Sequence, residues 1–151
     1  MPTHYAGSPR EVLALNTFIK LTRATESLQA RLIQRGTQGD LTPSQFGILE
    51  TLYHLGPMCQ NELGHKILKS SGNITMVIDN LEKHGLVRRQ AHPDDRRMVL
   101  VSLTDAGSSL IAEIFPKHLK SILEEMAVLE PAELEALGAL CRKLGRAEEK
   151  V

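Results

Sequence analysis

Residues 85–107 read GLVRRQAHPDDRRMVLVSLTDAG. Leu86 and Val87 open one extended run, and Val99, Val101 and Leu103 alternate along a second. Between the runs, His92, Pro93, Asp94 and Asp95 make a turn-rich tip, and Thr104 is placed to cap a following helix. Arg88 and Arg89 lie on the first run, Arg96 and Arg97 at the tip. A two-stranded ribbon with a cationic tip suits contact with DNA phosphates and with a narrow minor groove.

Upstream, Ile74, Val77, Ile78 and Leu81 fall at helical spacing on one apolar stripe that ends at Gly85. Ser71, Thr75, Met76, Asp79, Asn80 and Lys83 take the opposite face. A short helix over about Gln60 to Ile67 and a cap-rich link precede it. Helix, turn, helix and ribbon in this order form a winged helix-turn-helix whose second helix is set against the major groove. Lys66 and Lys69 are then point charges for the DNA backbone. Ser70, Ser71, Asn73 and Thr75 surround a helix N-terminus, where hydroxyls and free N–H groups suit phosphates. Plain N-capping is the alternative for Ser70 or Ser71. Asn80 can pair bidentately with adenine, and Met76 can touch a thymine methyl. On the ribbon the candidates are Arg88, Arg96 and Arg97, with Asp95 on the same strand side as Arg97 to aim its guanidinium. The competing reading is a solvated turn whose surface ion pairs contribute little.

Farther out, Ser8-Pro9-Arg10-Glu11 starts a helix running to about Arg35. It is long enough to need a partner, within the domain or from a second chain. Thr42 and Gln45 form a capping box for the next helix, with Leu41 stapled to Phe46 and with Leu49, Leu52 and Tyr53 continuing the buried face. Beyond the ribbon, a helix over about Asp105 to Val128 is interrupted by Pro116, which predicts a kink. A last helix opens at Glu130-Pro131 and carries Leu134, Leu137, Cys141 and Leu144 as a seam, with Cys141 in the core. The fold class is mainly α with a small β-wing.

Composition narrows the function classes. The 151 residues, 42% of them apolar, fit one domain, or one domain with a helical extension. No spanning helix or apolar leader is visible, so a cytoplasmic protein is expected. Net charge is zero, but residues 66–97 are basic and the C-terminal part is acidic. Aromatics make up only 3%, with no Trp, which disfavours single-stranded nucleic acid. Cys59 and Cys141 make no disulfide framework. Cys59 falls near a helix N-cap, which can lower a thiol pKa, so it is a redox candidate beside the simpler reading of a half-buried structural residue. The six histidines show no ligand spacing, and no metal or cofactor is expected. No catalytic triad order, phosphate loop or paired-carboxylate pocket emerges, so an enzyme is not expected.

LTPSQFGILETLY (41–53), NITMVIDNLEKHGLVRR (73–89) and DDRRMVLVSLTDAG (94–107) together resemble the MarR family of bacterial transcriptional regulators, over essentially the whole chain. The family's wing signature, Asp-x-Arg before a strand ending in Leu-Thr, is matched by Asp95, Arg97, Leu103 and Thr104. The resemblance implies a homodimer on a pseudo-palindromic double-stranded operator. It implies an N-terminal dimerisation helix over 1–36, a winged helix-turn-helix DNA-binding domain over 41–104 and C-terminal dimerisation helices over 105–151. Residues 66–87 are similar to the branch that responds to quinones and phenolic compounds. By approximate position, the resemblance assigns Phe18, Thr22, Phe46, Tyr53 and His54 to a pocket for a small aromatic effector. Met76 and Asn80 stand where many family members carry basic residues. The implied function is a repressor released by such an effector or by thiol modification. The alternative is a winged-helix dimer serving as a protein-interaction module without DNA binding.

Overall fold

The computed structural model describes residues 3–67 and 71–145, apart from the side chains of residues 71 and 72. The elements are α1 (Pro9–Gln34), α2 (Pro43–Leu55), β1 (Met58–Cys59), α3 (Gln60–Lys66), α4 (Ser71–Lys83), β2 (Val87–Ala91), β3 (Val99–Leu103), α5 (Asp105–Met126) and α6 (Pro131–Gly145). Two compact units share them: Arg31–His118, and Met1–Ala30 together with Leu119–Val151. The division falls inside α1 and α5.

Local chemistry sets the helix ends. Ser8 and Glu11 exchange hydrogen bonds at the start of α1, Ser8 N donating to Glu11 Oε2 at 2.8 Å and Glu11 N to Ser8 Oγ at 3.3 Å. The Thr42–Gln45 box forms at α2 as anticipated. At the end of α4, Gly85 takes φ 73°, which only glycine adopts at little cost. Leu86 N then reaches back to Leu81 O at 2.9 Å and Gly85 N to Glu82 O at 3.0 Å. Thr104 caps α5 through Gly107 N and also donates to Gly85 O at 2.6 Å. One side chain thereby joins the end of α4 to the start of α5. Gly107 is required there, since a Cβ would lie 2.0 Å from Leu86 O.

The core of the Arg31–His118 unit gathers Phe46, Ile48, Leu49 and Leu52 of α2, Leu63 of α3, and Ile74, Ile78 and Leu81 of α4. Val87, Val101, Ile111 and Ile114 close it from the strands and α5. The stripe expected on α4 is therefore the face that packs.

Several expectations change. The wing is not a two-stranded ribbon alone: β1 pairs antiparallel with β3, Met58 opposite Val101, giving a sheet ordered β1-β3-β2. Two residues are too short a run to announce a strand by alternation. Val99 is exposed because it lies on the ribbon beyond the core, while Val101 is fully buried. Tyr53 is 44% exposed and does not continue the buried face of α2. Cys141 is exposed rather than in a core. Pro116 lies inside the fifth helix, where the sequence reading put it.

Candidate nucleic-acid interface

The α4 stripe turns the rest of the helix outward. Asn73, Thr75, Met76, Asp79, Asn80 and Lys83 are all exposed, and Met76 is 64% so. An apolar side chain left that bare on a polar face is available for contact. Lys66 is exposed at the end of α3. Lys69 and Ser70 lie outside the described residues, as does the side chain of Ser71.

Thr75 is less free than its exposure suggests. Its Oγ1 accepts from Gln60 Nε2 at 2.8 Å, a bond from the first residue of α3 to α4. Its carbonyl accepts from Arg89 Nη2 at 3.1 Å. Arg89 also forms ion pairs with Asp79 and Glu82, and its backbone N donates to Glu82 Oε2 at 2.9 Å. Arg89 therefore fastens β2 to α4 instead of reaching outward, with its side chain 22% exposed. It also neutralises two carboxylates on α4. Arg89 was left out of the DNA candidates read from the sequence, but it was not assigned this bracing role. The available signal was Asp79 and Glu82, three apart and so on one helix face.

Arg88, one residue earlier on β2 and opposite Ser102, stays exposed. At the tip, His92 N donates to Met98 O at 2.9 Å and closes the hairpin. Asp95 accepts from Arg97 three times, from its backbone N at 3.0 Å, Nε at 3.2 Å and Nη2 at 3.4 Å. These bonds hold the Asp95 carboxyl below its ordinary pKa, first through the Arg97 side chain and then through its backbone N–H. The pairing was anticipated, but its geometry differs. Both residues sit in the turn between the strands, so chain reversal brings them together, not strand alternation. The Arg97 side chain is 91% exposed although its guanidinium is oriented, and Arg96 beside it is exposed too. An exposed guanidinium held in one orientation suits entry into a narrow minor groove.

The other predicted residues do not gather at this surface. Cys59 is the N-cap residue of α3, makes no side-chain cap bond and is 6% exposed. Phe46 is buried, its ring 4.5 Å from that of His118. His118 sits within hydrogen-bond reach of Thr37 and Gln38, and desolvation lowers its pKa against the pull of Glu50. Tyr53 meets His54 edge-on at 5.2 Å, and His54 meets Phe115 at 4.7 Å. Phe18, 64% exposed, and Thr22 belong to the other unit.

The MarR family model matches residues 41–99, which span α2 through the wing. The HTH-type transcriptional regulator MhqR of Bacillus subtilis is 37% identical over 87% of this chain and 91% of its own length. The chain belongs to the MarR family. Solved structures agree with that membership. One, describing regulation of DNA binding of Bordetella bronchiseptica BpsR by 6-hydroxynicotinic acid, is 30% identical, covers 85% of this chain and 98% of its own, and superposes with TM-score 0.75. Another, a MarR mutant from E. coli complexed with operator DNA, is 26% identical, covers 85% and 96%, and has TM-score 0.73. The relatives named here as regulators place this chain among transcriptional regulators of the winged-helix type. No described helix of this MarR-family chain is long and apolar enough to cross a membrane.

Proposed function

We propose that this protein is a homodimeric repressor that binds a pseudo-palindromic duplex operator and is released by a small aromatic effector. The observation carrying the DNA part is the exposed outer face of α4 beside an oriented, 91% exposed Arg97. Asn80 and Met76 read bases in the major groove; Arg97 enters the flanking minor groove; Lys66, Lys69, Ser70, Ser71, Asn73, Thr75, Arg88 and Arg96 serve the backbone. Support comes from the MarR mutant complexed with operator DNA. Dimerisation is supported by bare apolar side chains on the outer helices, among them Leu13 at 69%, Leu123 at 64% and Leu140 at 65% exposed. Two-fold symmetry then sets half-sites about one helical turn apart. Residues 1–36 and 105–151 supply the dimer helices, and 41–104 the DNA-binding domain.

For release, regulation of DNA binding of BpsR by 6-hydroxynicotinic acid supports a small aromatic effector as the chemical class. Phe18, Thr22, Phe46, Tyr53 and His54 remain the pocket proposed from the resemblance. An effector acts by favouring a dimer whose two α4 helices are spaced wrongly for successive grooves. Thiol modification at Cys59 is the lesser route, because its burial restricts access. The test is fluorescence anisotropy on the chain's own upstream DNA and on a scrambled duplex, across several salt concentrations. Preferential binding with a steep negative salt slope is expected. Absence of binding at low salt overturns the reading and leaves a protein-interaction module.

A further inference from the structure

A cavity of about 270 Å³ opens where the turn after α1 meets the end of α4 and the start of α5. Leu81, Leu86 and Leu110 are among its apolar lining residues. Its polar lining includes Asp40, Gln45 and His84. None of the residues assigned to the aromatic pocket, Phe18, Thr22, Phe46, Tyr53 or His54, lines it.

Two of the polar lining groups, Asp40 and His84, favour a donor. Asp40 is an exposed carboxylate in the turn. His84 Nδ1 lies 2.7 Å from Asn80 O, and a carbonyl only accepts, so Nδ1 carries the hydrogen. In the tautomer with its hydrogen on Nδ1, the ring keeps an accepting lone pair on Nε2. Leu81 and His84 also lie at the C-terminal end of α4, the negative end of the helix dipole. Neither Lys nor Arg lines the cavity. Together these features repel an anion and attract a cation. A metal ion is the wrong cation, since the leucines offer no ligands and no group of three or more His, Cys, Asp or Glu that could hold one occurs among the described residues. The volume falls just under the roughly 300–1,000 Å³ of ordinary small-molecule pockets, which limits the occupant to about one ring.

We propose that this cavity binds a small organic cation, an ammonium group carrying a single apolar ring. The ammonium donates to Asp40 and His84, and the ring packs on Leu81, Leu86 and Leu110. Because Leu81 lies in the last turn of α4 and His84 directly follows the helix, an occupant bears directly on the helix that carries Met76 and Asn80.

Isothermal titration of the full chain with 2-phenylethylammonium, neutral 2-phenylethanol and anionic phenylacetate tests this. The cation is expected to bind about tenfold or more tighter than the alcohol, with phenylacetate weaker still. Asp40→Asn, at an exposed turn position outside the core, is expected to lose about tenfold in cation affinity without lowering the ligand-free melting temperature. His84→Ala is expected to lose about threefold. Equal affinity for all three probes, undiminished cation binding by Asp40→Asn, or no cation binding at all overturns the proposal. These titrations use protein without DNA, so their failure is distinct from a failure of operator binding.

Discussion

The two units of this chain differ in how they use apolar side chains. The buried hydrophobic residues run from Leu32 to Ile114, all within Arg31–His118. Among the described residues of the other unit only Ser121 is buried, while Leu13, Phe18, Leu123, Leu140 and Leu144 are each more than 60% exposed. One unit satisfies its hydrophobic pattern internally. The other displays a helical seam that water would not retain without a partner. The contrast ties stability to the first unit and leaves the apolar faces of the second open.

The largest effect should come from damaging the core that is complete. Ile78→Ala is expected to cost about 2–5 kcal/mol in denaturant unfolding, through lost burial and a residual cavity. Leu140→Ala, on the exposed seam of α6, is expected to leave unfolding of the dilute chain nearly unchanged and to raise the dimer dissociation constant, read by sedimentation across protein concentrations. Equal destabilisation by the two changes at low concentration would break the contrast between the units.

Within the winged unit, two arginines separate contact from positioning. Arg97→Ala is expected to weaken operator binding by about 1–3 kcal/mol and to reduce the salt slope by about 1. Arg89→Gln is expected to weaken it by about 1 kcal/mol with an unchanged salt slope and a lower melting temperature, because Arg89 is bonded to α4 and not offered to phosphate. A reduced slope in the Arg89 variant would add that residue to the DNA surface and break the distinction.

The smallest effect is a pH dependence within the same unit. Burial lowers the His118 pKa in the folded chain, so the unfolded chain takes up the proton first as pH falls. Stability from the neutral ring is full above the ordinary histidine value of about 6.5 and declines from there toward the lower folded-state value. His118→Gln is expected to flatten melting temperature against pH between about 7 and 5. An identical slope in the variant would assign the dependence to other groups.

Much of this fold was legible in the residue order, because its signals are local. The capping pairs Ser8–Glu11 and Thr42–Gln45, the stripe on α4, the turn at Gly85 and the Asp95–Arg97 pair each involve residues close in the chain. Such spacings constrain backbone and side chain before any packing exists. The candidate interface was legible to the same extent: the outer face of α4 and the exposed wing arginines follow from period and turn chemistry.

Long-range placement decided the rest. Pairing of β1 with β3 brings Met58 to Val101, and Gln60 of α3 reaches Thr75 of α4. Arg88 and Arg89 are adjacent and chemically identical, yet one stays exposed and the other is clamped to Asp79 and Glu82. Alternation along β2 puts them on opposite sides, but only the packed α4 determines which side holds carboxylates. Likewise, period alone marks Tyr53 and Cys141 as buried, and the folded chain leaves both exposed. The sequence by itself determined which segments fold as helix, turn and strand, since those preferences act over a few residues. Tertiary structure decided which charges are neutralised and which apolar faces remain open, since both depend on groups that meet only after the chain has folded.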